Sequence, residues 1–291
     1  MTTATALSER NAALSSTPQI RDARSGAVRP DLAEWDERSL TEIWTELHTI
    51  QTDFCFPHEL AAYFTTPRWH AARTVLDLGT GNGHYLSRLA EVFPGRRYHG
   101  IDVSAEYIAQ ACARSGAQGP TFAQADLLEM TGQYDFVVTR LVLQHLARVG
   151  PALDKIGELL TPGGMAFIID AHDAVRAFHP EPVPFVEFFR AYASHQAARG
   201  LNRNVASELT SLLAGHPRLR GDGVREMLIP STVGQNQALF DRTYYLVILM
   251  VEKSGMFDYD FERVKAAWRS WCALEQRYMQ VGIKIVAACR V

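Results

Sequence analysis

The sequence predicts an α/β protein in which a helical cap is added to a doubly wound, mostly parallel sheet. The first observation is an alternation of strand and helix patterns, repeated five times between Thr74 and Asp170, which demands right-handed crossovers and a parallel sheet. The second is a glycine-rich turn directly after the first strand. The third is a set of glycine and charged residues at the carboxyl ends of the strands, where such sheets bind ligands. These strand ends are marked by Gly79, Asp102, Asp126, Arg140 and Asp170.

The composition is typical of a globular protein. The chain has 291 residues, 47% of them hydrophobic and 21% charged, which is enough for one large domain with a cap. A net charge of −3 without a dense basic cluster argues against nucleic acid as a partner. The longest apolar run, Tyr244 to Val251, is too short to cross a bilayer, and the cysteines lack disulfide-framework or metal-site spacing. We expect a cytoplasmic protein, monomeric or homodimeric, with no membrane partner.

The region before the first strand divides into a tail and a helical segment. Residues 1–30 are rich in Ala, Ser and Thr and hold little apolar surface, so we expect a flexible tail. In residues 31–70, apolar and aromatic residues recur at helical spacing as far as Phe64 and predict two or three helices ahead of the sheet. These helices either pack on the core or form a lid over a ligand. Candidate substrate contacts among them are Trp44, Phe56 and Tyr63.

The first strand, Thr74 to Leu78, runs directly into the glycine turn. Glycine allows a positive φ and lets a ligand lie against the backbone, while the N–H groups that open the next helix point at it. A nucleotide-like ligand is therefore expected. Two residues depart from the dinucleotide fingerprint, because His84 replaces its third glycine and Asp77 puts a carboxylate before the turn. A carboxylate repels a pyrophosphate and attracts a cation, so the loop favours a positively charged ligand.

The second strand, Tyr98 to Val103, contains Asp102 near its end. An acidic side chain at this position can accept hydrogen bonds from both hydroxyls of a ribose. Capping of the next helix, expected over residues 104–116, is the alternative, although Ser104 suits that task. We therefore prefer the ribose interpretation.

Three further strands are expected over residues 121–125, 134–139 and 165–170, with a helix over 152–160. The polar residue that follows the first of these strands is Asp126, which either contacts a ligand or caps a turn.

Two segments resemble a known family. The DLGTGNG run that starts at Asp77 resembles the first motif of the class I S-adenosylmethionine-dependent methyltransferases, and LTPGGMAFIIDAHD, which ends at Asp173, is similar to a later segment of that family. The resemblance covers about Thr74 to Asp173 and implies a Rossmann-like core with a seven-stranded sheet. It implies S-adenosyl-L-methionine as the cofactor, whose sulfonium and ammonium groups match the charge preference of the loop. The implied product is S-adenosyl-L-homocysteine.

The same resemblance implies roles for individual residues. An acidic residue at the position of Asp126 would accept a hydrogen bond from the adenine amino group, and the N–H of Leu127 would meet a ring nitrogen. The backbone carbonyl near Arg140 would face the ammonium group of the cofactor. The candidate cofactor-binding residues are Asp77, Gly79, Gly81, Gly83, Asp102, Val103, Asp126, Leu127 and Arg140.

A general base is needed if the methyl acceptor is a hydroxyl or a protonated amine, and histidine suits this task near neutral pH. His172 is the first candidate, because Asp170 and Asp173 could orient or charge it. His145, which by the resemblance would start the next helix, is the second. Each could instead be a structural histidine. The chain shows no H-x-E or H-E-x-x-H spacing, so we expect a metal-independent enzyme.

The region after Asp170 predicts cap insertions at about 171–200 and 235–281. A proline-rich segment leads to an aromatic helix, in which Phe188 and Tyr192 are candidate substrate contacts. The other expected elements are a helix over 204–213, a strand over 224–229, helices over 235–256 and 258–281, and a last strand over 283–291.

The function that fits these observations is methyl transfer to an O or N atom of a small metabolite. A C-methyltransferase acting on a quinone-like or sterol-like lipid, or an aminopropyltransferase, would have the same core. A regulatory protein that binds the cofactor without catalysis is a further alternative. An NAD-dependent reductase is disfavoured by His84 and Asp77.

Overall fold

The computed structural model describes residues 31–233 and 236–291, together with two short strands, Ile20–Arg21 and Val28–Arg29, that pair antiparallel. Apart from these strands, the expected flexible tail over residues 1–30 lies outside the described residues.

The main sheet of the described chain has eight strands. Seven of them are hydrogen-bonded in the order β3-β2-β1-β4-β5-β8-β6, and the eighth, β7, pairs with β8 along most of its length. Strands β1 to β5 are parallel to one another, and β8 runs antiparallel to its neighbours. This confirms the α/β fold with a mostly parallel sheet; β6, of three residues, adds to the seven expected strands. The strands are β1 (Thr74–Leu78), β2 (Arg97–Asp102), β3 (Thr121–Gln124), β4 (Tyr134–Arg140), β5 (Leu160–Ala171), β6 (Ala177–His179), β7 (Leu219–Pro230) and β8 (Tyr278–Arg290).

Helices cover both faces of the sheet. Successive side chains of a strand face opposite sides, so in β4 Phe136 and Val138 join the core that includes α1, α3, α6, α8 and α9, while Val137 joins the core under α5 and α7. The helices are α1 (Leu40–Phe64), α2 (Pro67–Ala71), α3 (His84–Val92), α4 (Ala105–Arg114), α5 (Val149–Leu159), α6 (Val183–Ala198), α7 (Val205–Leu213), α8 (Asn236–Ser254) and α9 (Phe261–Cys272).

The segment before the sheet consists of a 3₁₀ turn, Leu32–Trp35, followed by α1. Ser39 begins α1 with a capping box, since its side chain accepts a hydrogen bond from the N–H of Glu42 and the Glu42 carboxylate accepts one from the N–H of Ser39. The helix continues for 25 residues through Pro57.

Three expectations about the elements are wrong. No helix separates β3 from β4, because the described residues 125–133 form turns, so the alternation of strands and helices is interrupted once. His145 does not start a helix but ends a 3₁₀ turn, Leu143–His145, and α5 begins at Val149. The helix expected over 258–281 ends at Cys272, because residues from Tyr278 onward pair with β6 and β7.

None of the helices in the described parts of the chain is long and apolar enough to span a membrane.

Candidate active site

The glycine loop after β1 is fixed against β2. The N–H groups of Gly79 and Thr80 donate to the carbonyl of Ile101 over 2.9 and 2.8 Å. Gly79, Gly81 and Gly83 have φ values of +77°, +55° and +72°, a region that disfavours residues with a Cβ. The loop therefore requires glycine for its conformation as well as for space.

Asp102 supports this loop from the end of β2. Its Oδ2 accepts a hydrogen bond of 2.9 Å from the N–H of Gly81, and its Oδ1 accepts one of 2.9 Å from the N–H of Ser104. Ser104 itself is the N-cap of α4, since its hydroxyl accepts from the N–H of Tyr107. Each carboxylate oxygen can accept a further hydrogen bond, so Asp102 keeps acceptor capacity at the loop.

Asp77 lies buried beneath the loop. Its Oδ2 accepts a hydrogen bond of 2.8 Å from the hydroxyl of Thr80, while its Oδ1 is buried without a hydrogen-bond partner among the described residues. Burial raises the pKa of Asp77 to about 7, because removal from water disfavours the charged form. An unpaired buried oxygen is unusual and fits a site that receives a positively charged or hydrogen-donating group.

Helix α1 covers the loop directly. The side-chain amide of Asn82 donates to the carbonyl of Thr45 over 3.1 Å and to the hydroxyl of Thr49 over 3.2 Å. A Cβ on Gly81 would lie 2.9 Å from Nδ1 of His48, so the histidine ring occupies the space above that glycine. The N-terminal helical segment thus lies on the loop as well as on the core.

His48 belongs to a group of aromatic rings over the loop. Its ring centroid lies 5.6 Å from that of Trp44 and 5.1 Å from that of Tyr107 on α4. Burial, together with the nearby His145 and Arg140, lowers the pKa of His48 to about 4, so its imidazole is neutral at physiological pH. His48 was not predicted as a site residue, although its spacing of four residues from Trp44 puts both on one face of a helix.

The side chain of Arg140 connects β4 to α1. Its Nε donates to the two carboxylate oxygens of Glu59 over 3.0 and 3.2 Å, and its Nη2 donates to the carbonyl of Gln51 over 3.0 Å. The guanidinium also lies 4.9 Å from the ring centroid of Tyr85. The next residue, Leu141, has a φ of +58°, a rare conformation for a side chain of this kind.

The two candidate bases lie after β4 and β5. His145 is exposed, and its ring meets that of Trp44 edge-on at 6.1 Å. The surrounding protein and the charge of Arg203 lower the pKa of His145. His172 is partly buried, and its Nδ1 has no hydrogen-bond partner in the described chain.

The two carboxylates expected to orient His172 are bound elsewhere. Asp170 is fully buried and accepts hydrogen bonds from the N–H groups of Ala171 and Gln144 over 2.9 and 3.3 Å. Asp173 pairs with Arg176 and Arg203. These two arginines were not predicted as site residues, because their contact with Asp173 depends on the path of the chain after β5.

The remaining candidates for cofactor contact lie at the same edge of the sheet. Asp126 is exposed, and its Oδ1 accepts a hydrogen bond of 2.8 Å from the N–H of Leu128 in a turn after β3. Leu127 is half-buried, and Val103 is exposed directly after β2.

The five candidate substrate contacts separate into two groups. Trp44 and Tyr192 are partly accessible, and Trp44 lies against both His48 and His145. Phe56, Tyr63 and Phe188 belong to the core, with exposures of 1%, 0% and 0%. Tyr63, for example, packs on Trp69, Phe136 and Phe167. We do not retain these three residues in the candidate site.

A family model described as a methyltransferase domain matches residues 76–166, which run from β1 into β5. The match takes in the glycine loop and most of the parallel strands, so this part of the chain is similar to a methyltransferase domain.

Curated relatives carry methyltransferase names. Trans-aconitate 2-methyltransferase of Deinococcus radiodurans is 35% identical over 91 residues, which are 31% of this chain and 35% of that protein. Ubiquinone biosynthesis O-methyltransferase of Caulobacter vibrioides is 32% identical over 110 residues, 36% of this chain and 43% of that protein. Trans-aconitate 2-methyltransferase of an Acidovorax species is 30% identical over 158 residues, 54% of this chain and 57% of that protein. The chain thus spans 35–57% of the length of these relatives.

Among solved structures, StiE O-MT is 14% identical with a TM-score of 0.47, and the match covers 80% of this chain and 73% of that one. Geranyl diphosphate C-methyltransferase from Streptomyces coelicolor A3(2) is 14% identical with a TM-score of 0.44, covering 75% and 72%.

Proposed function

We propose that this methyltransferase uses S-adenosyl-L-methionine to methylate an O or N atom of a small metabolite. The observation that carries the proposal is the joint placement of the glycine loop, Asp77 and Asp102 at the carboxyl edge of the sheet. Two of the relatives are named for trans-aconitate and one for ubiquinone biosynthesis, which supports a small-molecule acceptor.

The residues present fit this cofactor. Asp102 has acceptor capacity for ribose hydroxyls, and the unpaired Oδ1 of Asp77 suits a cationic ligand. Asp126 and Leu127 would hold the adenine, and Val103 and the backbone near Arg140 would complete the site. When bound, the cofactor supplies a methyl group already activated by its sulfonium.

The chain's own contribution is then to align the acceptor and exclude water. Alignment of this kind can lower a barrier by on the order of 7–11 kcal/mol. Trp44 and Tyr107 lie at the loop and can add cation–π attraction of about 0.5–2 kcal/mol to a bound cation. Tyr192 would line the acceptor side.

Two histidines can accept a proton from the acceptor. His145 lies beside Trp44, and its lowered pKa keeps its imidazole neutral at physiological pH. His172 has an unpaired Nδ1. A metal-independent reaction stays a prediction from the sequence. The cytoplasmic location and the monomeric or dimeric state stay predictions.

Calorimetric titration of the full chain with S-adenosyl-L-methionine and S-adenosyl-L-homocysteine tests the cofactor assignment. Asp102→Ala should weaken binding at least tenfold, because it removes the acceptor oxygens and the support of Gly81. Glu91→Ala, on the exposed side of α3, is the matched control and should bind as the parent does.

Two results would overturn the proposal: no heat with either compound, or uptake of a nicotinamide dinucleotide instead. Mass detection of a product one methyl heavier would separate methyl transfer from aminopropyl transfer and from binding without catalysis.

A further inference from the structure

Two arginines share one carboxylate beyond the end of β5. Asp173 lies 3.5 Å from Nη1 of Arg176 and 3.2 Å from Nε of Arg203. All three side chains are largely withdrawn from water, with exposures of 17%, 13% and 17%. This group therefore brings two positive charges and one negative charge into a largely enclosed place.

Packing holds the two guanidinium groups near each other. Their Cζ atoms lie 3.5 Å (Arg176) and 4.9 Å (Arg203) from the centroid of the same ring, that of Phe189 on α6. Like charges repel more strongly where water is excluded, and Asp173 compensates only one of them. The three side chains thus carry a net positive charge, which an acidic ligand can offset.

This excess charge lies at the carboxyl edge of the sheet, on which the proposed methyl-transfer site also lies. Arg203 pairs with Asp173 at 3.2 Å, two residues after the end of β5, so its guanidinium lies beyond the carboxyl end of that strand. Its charge also contributes to the lowered pKa of His145 after β4. The unpaired Nδ1 of His172, next to Asp173 in sequence, can donate a hydrogen bond to an anion in the appropriate tautomer.

We propose that Arg203, with Arg176 beside it, binds an acid group of the methyl acceptor, which is therefore a small organic anion. The planar guanidinium offers parallel N–H groups to the oxygens of a carboxylate or a phosphate monoester. Asp173 pairs with both arginines and therefore competes with the ligand for their charge. This inference rests on the proposed function and narrows its substrate class.

Ligand-detected NMR on the full chain, saturated with S-adenosyl-L-homocysteine, tests this assignment. The probes are carboxylic acids with one to three carboxyl groups, each matched to its primary amide, and phosphate monoesters matched to their alcohols. The tightest acid should bind at least tenfold more strongly than its neutral partner, and the carboxylate and phosphate series identify the acid group. Equal binding of acids and neutral partners, or binding of neither, would overturn the inference.

Three substitutions then test the residues. Arg203→Gln should weaken the tightest acid at least tenfold, and Arg203→Lys, which keeps the charge but loses the planar fork, should weaken it less. Asp173→Asn should strengthen it, because a competing carboxylate is removed. Arg199→Gln, an exposed residue on the same connection, is the control and should change nothing.

The signs of these effects distinguish binding from misfolding. An equal loss from Arg203→Gln and Asp173→Asn, or no loss from Arg203→Gln, would contradict the proposal. Affinity for S-adenosyl-L-homocysteine should stay unchanged in every variant. If the parent protein binds no S-adenosyl-L-homocysteine, the proposed function itself fails; if it binds this compound without any preference for acids, only the present inference fails.

Discussion

Asp77 illustrates how a single buried carboxyl couples stability to ligand binding. Its pKa is raised from 3.8 to about 7 by burial, so the folded protein keeps a proton that the unfolded chain releases near pH 4. The stability that this proton contributes is complete below pH 4 and is lost as the pH rises through 7. Above pH 7 the folded protein holds a buried negative charge beneath the glycine loop.

Asp77→Asn should therefore raise the free energy of unfolding at pH 8 by about 1–3 kcal/mol and flatten its decline between pH 4 and 7. Urea denaturation at several pH values measures both effects. The same substitution should weaken binding of S-adenosyl-L-methionine at pH 8, because the attraction between Asp77 and a cation is lost. Asp126→Asn, at an exposed position, should leave the pH dependence of stability unchanged. A variant that is less stable at pH 8 would contradict this account of Asp77.

The residues that could be predicted from the sequence are those fixed by local chain geometry. Gly79, Gly81 and Gly83 all have positive φ, as the turn after β1 demands. His48 and Arg203 were missed because their placement depends on contacts between segments that are distant in sequence. Aromatic spacing could not separate Trp44, which lies at the loop, from residues such as Tyr63 that fill the core.

At the scale of elements, α1 is connected to the sheet by the ion pair between Glu59 and Arg140. Glu59 is fully buried and Arg140 is 8% exposed, so each charge depends on the other for compensation. Glu59→Gln should lower the free energy of unfolding by about 3–5 kcal/mol, because it leaves a buried guanidinium without a counter-charge. Urea denaturation gives the value.

The matched comparison is Asp53→Asn on the same helix. Asp53 pairs with Arg88 at 2.9 Å, but its side chain is 41% exposed, and exposed pairs contribute less than about 1 kcal/mol. Similar losses for the two variants would contradict the assigned role of the buried pair.

The elements that could be predicted are those whose pattern is local. Strands β1 to β5 each have a short apolar core bounded by Gly, Pro or a polar residue, and their existence was foreseen. The start of β8 was not, because residues 273–277 contain no Gly or Pro to end a helix. Only pairing with β6 and β7, which lie far away in the chain, brings residues from Tyr278 onward into the sheet.

At the scale of the whole molecule, one core joins the cap to the sheet. Buried residues of α1, α6, α8 and α9 belong to the same cluster as Phe136 and Phe167 of the sheet. Elements that share a core unfold together. The cap and the sheet are therefore expected to behave as one cooperative unit.

Scanning calorimetry of the intact chain should show a single transition, whose calorimetric and van't Hoff enthalpies agree. S-adenosyl-L-homocysteine at a hundred times its Kd should stabilise the protein by about 2.7 kcal/mol. Two separate transitions, or a shift confined to part of the unfolding signal, would show that the cap folds independently.

The position of α1 over Gly81 bears on how fast a ligand can bind at the glycine loop. The ring of His48 lies above that glycine, so a ligand that approaches the loop from this side would first have to displace the ring or the helix. If S-adenosyl-L-methionine binds there, we expect its observed binding rate to level off at high concentration.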